Sequence, residues 1–175
     1  MLKSEARILG INGTRLGDVG ITAGAVYRGC LWLDGIMTLR VDLVQGNYTR
    51  ELSAAIRATK QFPQLHAVIL GHRPSLLQEL QIAKLHRTLR LPIIVIPNPH
   101  RSPVRVPGLR KFDLVVNGRH LNLLSVGASK EDTEHLYNVG CGPGDTIPEA
   151  VRVAGMLLRE LTKQPGLKTI TTFPR

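Results

Sequence analysis

The clearest hydrophobic and polar pattern in the chain is a strict alternation over residues 37–43. Alternating apolar and polar positions fall on opposite faces of an extended chain, which is typical of a half-buried β-strand. A second β-type run covers residues 19–27, and Arg28-Gly29-Cys30 leaves only a short connection between the two. The pattern predicts an antiparallel hairpin, with Trp32 and Asp34 where the apolar run of its second strand is interrupted.

The patterns on either side of this hairpin predict strands alternating with helices. In chain order we expect a strand at 7–12, the hairpin, a helix capped by Asn47 to about Lys60, a strand at 65–70, a helix capped by Ser75 to residue 89, and a strand at 92–96. The strand at 65–70, the helix that follows it and the strand at 92–96 form a crossover connection, so these two strands should be parallel.

A proline-rich segment then interrupts the pattern. Residues 97–111 contain four prolines and several cations, and we expect an exposed loop there. The β-type runs at 112–116 and 120–126 flank Asn117-Gly118, a strong hairpin signal. Two more helices are predicted, one from a Ser129 cap to about Asn138 and one opened by Pro148 to about Lys163.

These elements predict one α/β domain over residues 1–175, with a loosely held tail from about residue 165. Its mixed sheet should contain three antiparallel strands followed by helix-linked parallel strands, with helices on both faces.

The charge of the chain bears on its partners. There are 23 Lys and Arg against 13 Asp and Glu, which gives a net charge of +10 and a pI near 10.3. Such a surface favours a polyanion, and nucleic acid is the expected partner. An acidic protein or a ribonucleoprotein assembly is the alternative. Aromatic residues are only 4% of the chain, so we expect contacts to the backbone or shape of the nucleic acid, with Tyr27, Trp32 and Tyr48 as the stacking candidates.

Cysteine content and hydropathy indicate a compartment. The two cysteines, Cys30 and Cys141, have no metal-type spacing, and the six histidines form no zinc motif. No apolar run approaches the ~18 residues that a membrane span requires, and residues 1–8 do not resemble a signal peptide. We expect a soluble, cytoplasmic protein with no membrane contact.

Four motifs together resemble a known family. They are RILGIN, GAVYRGCLWLDGI, LPIIVI and IPEAVRVAGML, and they fall in order between residues 7 and 163. They resemble the archaeal domain-of-unknown-function family ninety-nine, which is similar to endonuclease V within the RNase H-like superfamily. The resemblance implies an RNase H-like (endonuclease V-like) fold, in agreement with the predicted strand order.

The resemblance also implies where a metal-dependent nuclease would hold Mg²⁺ or Mn²⁺. Relatives typically carry an acidic pair at the end of the first strand, where this chain has Asn12-Gly13. They end the fourth strand in Leu-Asp-Gly, where this chain has Gly71 after Leu70. Only Asp34, in WLDG, matches an acidic position. Because such catalysis needs carboxylates from separate strands, the loss of two predicts a protein without nuclease activity.

The leading hypothesis is therefore a nucleic-acid-binding protein on a degenerate endonuclease V-like fold, with no cofactor. Its expected contacts are the polar and cationic residues at the two strand ends and in the proline-rich loop: Asn12, Thr14, Arg15, His72, Arg73, Arg101, Arg105, Arg110 and Lys111. One alternative is an active Mg²⁺- or Mn²⁺-dependent endonuclease with a rearranged acidic set of Asp34, Asp145 and Glu149, in which Asp34 is the foremost metal ligand. These carboxylates also have plain structural roles, as a strand entry, a cap and a first-turn residue.

Overall fold

A computed structural model describes residues 5–71, 74–98 and 108–163, and of Pro74 and Ser75 it describes the backbone alone. A seven-stranded mixed sheet organises them, in the spatial order β3-β2-β1-β4-β5-β7-β6. Its strands are β1 (Arg7–Leu16), β2 (Val19–Arg28), β3 (Trp32–Asp42), β4 (Leu65–Leu70), β5 (Ile93–Val95), β6 (Arg110–Val116) and β7 (Arg119–Val126).

The register of the sheet confirms the predicted fold class. β1, β2 and β3 form an antiparallel meander, and β4 then pairs in parallel with both β1 and β5. The β6-β7 hairpin adds to the far side of β5 in antiparallel register. Three antiparallel strands followed by helix-linked parallel strands are what the alternating pattern predicted.

Helices cover both faces of this sheet. They are α1 (Tyr48–Arg57), α2 (Pro74–Leu77), α3 (Ile82–Leu89), α4 (Lys130–Gly140) and α5 (Glu149–Lys163), and one 3₁₀ turn spans Phe62–Gln64. Residues of α1, α2 and α3 pack into the core on one face of the sheet, with Leu9, Val68 and Ile93. Residues of α4 and α5 form the core on the opposite face, with Ile8 and Ile69.

Two helices begin at their predicted caps, and the predicted hairpin turn is present. The side chain of Asn47 accepts from the N–H of Arg50 at 3.0 Å, and that of Ser129 accepts from the N–H of Asp132 at 3.0 Å. Asn117 and Gly118 both have positive φ in the β6-β7 turn. These are the local interactions that the sequence indicated.

Three boundary predictions were wrong. The single helix expected after Ser75 is broken into α2 and α3, and Ser75 lies inside α2. The N–H of Gln81 bonds the Thr49 hydroxyl oxygen of α1 at 2.9 Å instead of continuing the helix. β1 continues beyond Asn12 to Leu16, because it pairs with β2 along its whole length. Arg110 and Lys111, expected within the loop over 97–111, belong to β6 and pair with β7, and residues 99–107 lie outside the described residues. The predicted tail from about residue 165 lies outside the described residues.

Candidate functional site

The end of β4 lies against the middle of β1, and there two predicted site residues meet. Ile11 pairs with Leu70, and the N–H of Gly71 donates to the carbonyl oxygen of Ile11 at 2.8 Å. Asn12, the next residue of β1, is 8% exposed. A Cβ added at Gly71 would overlap the amide of Asn12, whose Cγ lies 2.8 Å from that position. We call this pair the strand-end site.

Helix α5 packs against Asn12 of the strand-end site. Asn12 Nδ2 donates to the carbonyl oxygen of Val151 at 2.8 Å. This contact depends on Gly10, because a Cβ there would overlap the backbone of Ala150 and Val151. Gly155, one turn further along α5, also faces the Asn12 amide. Asn12 is thus a buried, bonded side chain between the sheet and the helix.

On the opposite face of the sheet, Leu76 covers the same part of β1. Leu76 of α2 lies over β1, with its Cδ1 2.7 Å from where a Cβ of Gly13 would be. The cavity that remains among Gly13, Gly71, Tyr48 and Leu76 has a volume of about 20 Å³, enough for about one water molecule. Burial raises the pKa of Tyr48 to about 12, and its hydroxyl bonds that of Thr22.

Asp34 lies beside the first residue of β1, away from the strand-end site. Its Oδ2 accepts from Nε of Arg7 at 2.6 Å, and its backbone oxygen accepts from Nε2 of Gln61 at 2.7 Å. Arg7 precedes Asn12 by five residues, which is about 16 Å along a strand at ~3.3 Å per residue. The structure gives Asp34 the role of joining β1, β3 and the segment after α1.

Asp145 and Glu149 are held separately on the α4-α5 side. The backbone of Asp145 shapes the turn before α5, where its carbonyl oxygen accepts from Asn117 Nδ2 at 2.6 Å. Glu149 forms an ion pair with Arg152 one turn along α5, with Arg152 Nε 2.7 Å from Oε2. Hydrogen bonding from Arg152 holds the pKa of Glu149 below its usual value. Asp34, Asp145 and Glu149, all within the described residues, form no group that could hold a metal ion.

The donor chemistry tests whether a divalent metal fits at the strand ends. Neither Asn12 nor Gly71 offers a carboxylate, and the amide nitrogen of Asn12 is already bonded to α5. Within residues 5–71, 74–98 and 108–163, no group of three or more His, Cys, Asp or Glu side chains could hold a metal ion. The described residues do not fit the Mg²⁺ or Mn²⁺ site that the resemblance implies.

The predicted cationic contacts fall in several places. Strand alternation directs Thr14 to the same face as Asn12 and Arg15 to the opposite face. Arg15 bonds Glu79 at 3.0 Å and lies 3.6 Å from Asp18. Arg110 and Lys111 are exposed on the edge strand β6. The remaining predicted contacts lie outside the described residues: His72, Arg73, Arg101 and Arg105.

The three candidate stacking aromatics differ in exposure. Tyr48 and Tyr27 are buried, at 6% and 9% exposure, whereas Trp32 is 64% exposed at the start of the edge strand β3. Of these three, Trp32 alone presents its ring to solvent.

The sequence patterns did not reveal a groove between α1 and α3. It has a volume of about 590 Å³ and is lined by Asn47, Thr49, Arg50, Ser53, Ala54, Arg57, Lys84 and Thr88. The signal that could have found it is the spacing Arg50, Ala54, Arg57, which places one stripe along α1. We call it the α1–α3 groove. It lies on the sheet face opposite α5.

Comparison with known proteins adds homologues and a fold. No family model matches the chain. A UPF0215 protein of the archaeon Methanothermobacter thermautotrophicus is 26% identical over 183 residues, covering 92% of this chain and 90% of its own. The chain therefore has archaeal UPF0215 homologues.

Solved structures place the fold. A protein of unknown function from Archaeoglobus fulgidus superposes with a TM-score of 0.72 at 18% identity, covering 89% of this chain and 98% of its own. Endonuclease V of Streptomyces avermitilis has a TM-score of 0.62 at 17% identity, covering 91% and 82%. Argonaute of Marinitoga piezophila, in complex with guide RNA, has a TM-score of 0.54 at 8% identity, covering 89% and 30%. The fold is RNase H-like. Among the described residues, no helix is long and apolar enough to cross a membrane.

Proposed function

We propose that this protein binds nucleic acid on an endonuclease V-like fold and does not hydrolyse it at the strand-end site. The observation that carries the proposal is the packing of Asn12 against Gly71 and Val151. The Asn12 amide occupies the space where a side chain at position 71 would lie, so neither of the two positions at which relatives typically place carboxylates carries one here. A phosphodiester hydrolysis site needs charge there to hold and align its metal.

Two further observations support nucleic acid as the partner. The net charge of +10 favours polyanions through counterion release. The fold is shared with endonuclease V and with an Argonaute that holds guide RNA. We further propose membership of the archaeal domain-of-unknown-function family ninety-nine and a cytoplasmic location, which the sparse cysteines favour.

The test is binding to single- and double-stranded DNA and RNA across a salt series, with and without Mn²⁺, followed by gel analysis of the same samples. We expect salt-dependent binding and intact nucleic acid. Binding to none of these probes would contradict the proposed partner. Mn²⁺-dependent cleavage would contradict the loss of catalysis.

An Asp34→Ala variant separates the alternatives. Because Asp34 pairs with Arg7 and not with the strand-end site, we expect this variant to bind as the wild type does. If the wild type cleaves in Mn²⁺ and Asp34→Ala does not, an active site built around Asp34 would replace our proposal.

A further inference from the structure

The α1–α3 groove carries cations on both walls. Arg50 and Arg57 project from α1, and Lys84 projects from α3. The described residues that line the groove include no carboxylate. Like charges that face one another across a groove repel, and a bound anion removes that repulsion. The arrangement favours an anionic ligand over a neutral or cationic one.

Hydroxyl side chains also line the groove beside these cations. Thr49 and Ser53 are buried at 1% and 4% exposure. The Ser53 hydroxyl donates to the carbonyl oxygen of Thr49 at 2.7 Å. The Thr49 hydroxyl oxygen accepts from the N–H of Gln81 at 2.9 Å, so both buried hydroxyls are engaged within the protein. Thr88 adds an exposed hydroxyl on the opposite wall.

The walls are held in place by packing beneath them. Leu52 and Ile56 of α1 and Ile82 and Leu85 of α3 are at most 2% exposed within one core. The guanidinium of Arg57 lies 6.0 Å from the centre of the Phe62 ring, a contact that helps orient it. Arg50 bonds Glu51 at 2.9 Å but is 72% exposed. An exposed pair of this kind is weak, so a phosphate can compete with Glu51 for Arg50.

The separation of the cations indicates a polymer. Arg50 and Arg57 are seven residues apart, about 10 Å along a helix that rises 1.5 Å per residue. Both guanidiniums reach one small anion only by leaning toward each other, against their mutual repulsion. A nucleic-acid strand carries one phosphate per about 3.4 Å of duplex axis, so a short stretch of backbone spans that separation.

We infer that the α1–α3 groove binds the phosphodiester backbone of a nucleic acid, with Arg50, Arg57 and Lys84 as phosphate contacts and Thr88 as a hydroxyl donor. The inference rests on the proposed function and assigns it a surface. That surface lies on the sheet face opposite α5 and is separate from the strand-end site.

The test compares two triple variants of the full chain. The groove variant is Arg50→Gln/Arg57→Gln/Lys84→Gln. The control is Arg119→Gln/Lys130→Gln/Arg159→Gln, which removes three exposed cations that do not line the groove. Both variants lower the net charge from +10 to +7, and circular dichroism with thermal melting checks that both fold.

Binding to a labelled 20-nucleotide single strand and its duplex is measured over a salt series. We expect the groove variant to bind about tenfold or more weakly, with a log–log salt slope smaller by about 2 to 3, while the control keeps most of the wild-type affinity. Equal losses in the two variants would show that overall charge is responsible and would overturn the inference.

Amide NMR of the wild type, titrated with the single strand, shows which residues change chemical shift on binding. Shifts at Thr49, Arg50 and Thr88 support the groove. Shifts confined to residues around Asn12 and Gly155 would overturn the groove and leave the proposed function standing. A wild type that binds no nucleic acid would overturn both.

Discussion

The strand-end site and the α1–α3 groove lie on opposite faces of one sheet, and they differ in charge and access. Asn12 is 8% exposed, bonded to α5 and pressed against Gly71. The groove is open, has a volume of about 590 Å³ and is lined by three cations. On one sheet, therefore, a buried polar contact serves packing while an open cationic surface is suited to an anionic ligand.

The largest expected effect comes from filling the space beside Gly71. Gly71→Ala places a methyl group into the Asn12 amide, and we expect a loss of about 3 kcal/mol in unfolding free energy. Chemical denaturation measures it. In an Asn12→Ala background the same change should cost much less, because the obstructing amide is gone. Additive losses would contradict direct packing of the two residues.

A carboxylate at position 12 should cost somewhat less. Asn12→Asp replaces the donor that faces the Val151 carbonyl oxygen with an acceptor in a buried place. We expect a loss of about 2 to 3 kcal/mol at pH 7. Burial should raise the folded-state pKa of the new carboxyl, so the loss should shrink as the pH falls and the group is protonated. A denaturation series from pH 7 to pH 4 tests whether the loss in unfolding free energy shrinks as predicted. Stabilisation of this variant by Mn²⁺ would reveal a latent metal site.

On the groove side, Thr49→Val should have a moderate effect. It removes the acceptor for the N–H of Gln81, a residue between α2 and α3. We expect a loss of about 1 to 2 kcal/mol in unfolding free energy. Thr88→Val is the matched control, because Thr88 is exposed in the same groove and should leave stability unchanged within about 0.5 kcal/mol. Equal stability of the two variants would contradict the role of Thr49.

The smallest effect is expected at the start of α5. The pKa of Glu149 is lowered from 4.5 chiefly by the hydrogen bond from Arg152. A lowered folded-state pKa stabilises the protein above pH 4.5 and loses that contribution as the pH falls through the folded value. Glu149→Gln should therefore cost about 0.5 to 1 kcal/mol at pH 7, and the cost should decrease as the pH falls below 4.5. A cost that does not change with pH would show that the ion pair contributes nothing.

Most of the fold could be predicted because its signals are local. The alternation over 37–43, the caps at Asn47 and Ser129, and the Asn117-Gly118 turn each depend on neighbours in the chain. The break between α2 and α3 could not be predicted from local sequence. There the N–H of Gln81 bonds the hydroxyl of Thr49, which is 32 residues away. The extension of β1 likewise depends on its pairing with β2.

The candidate site was less predictable for the same reason. The neutral residues Asn12 and Gly71 are visible in the sequence, but their contact with each other is not. The motif around Asp34 does not reveal that its partner is Arg7. Arg7 lies five residues before Asn12, which is about 16 Å along β1 at ~3.3 Å per residue. The α1–α3 groove requires two helices to meet, and no single stretch of sequence contains it.

The most direct test of the central claim is a Mn²⁺ titration followed by amide NMR. Because Mn²⁺ is paramagnetic, it broadens the signals of groups near its binding site. We predict no selective broadening of Asn12, Gly71 or Gly155 at submillimolar Mn²⁺, with or without a bound oligonucleotide. Saturable broadening of these three signals would show that the strand-end site holds a metal and would contradict the account.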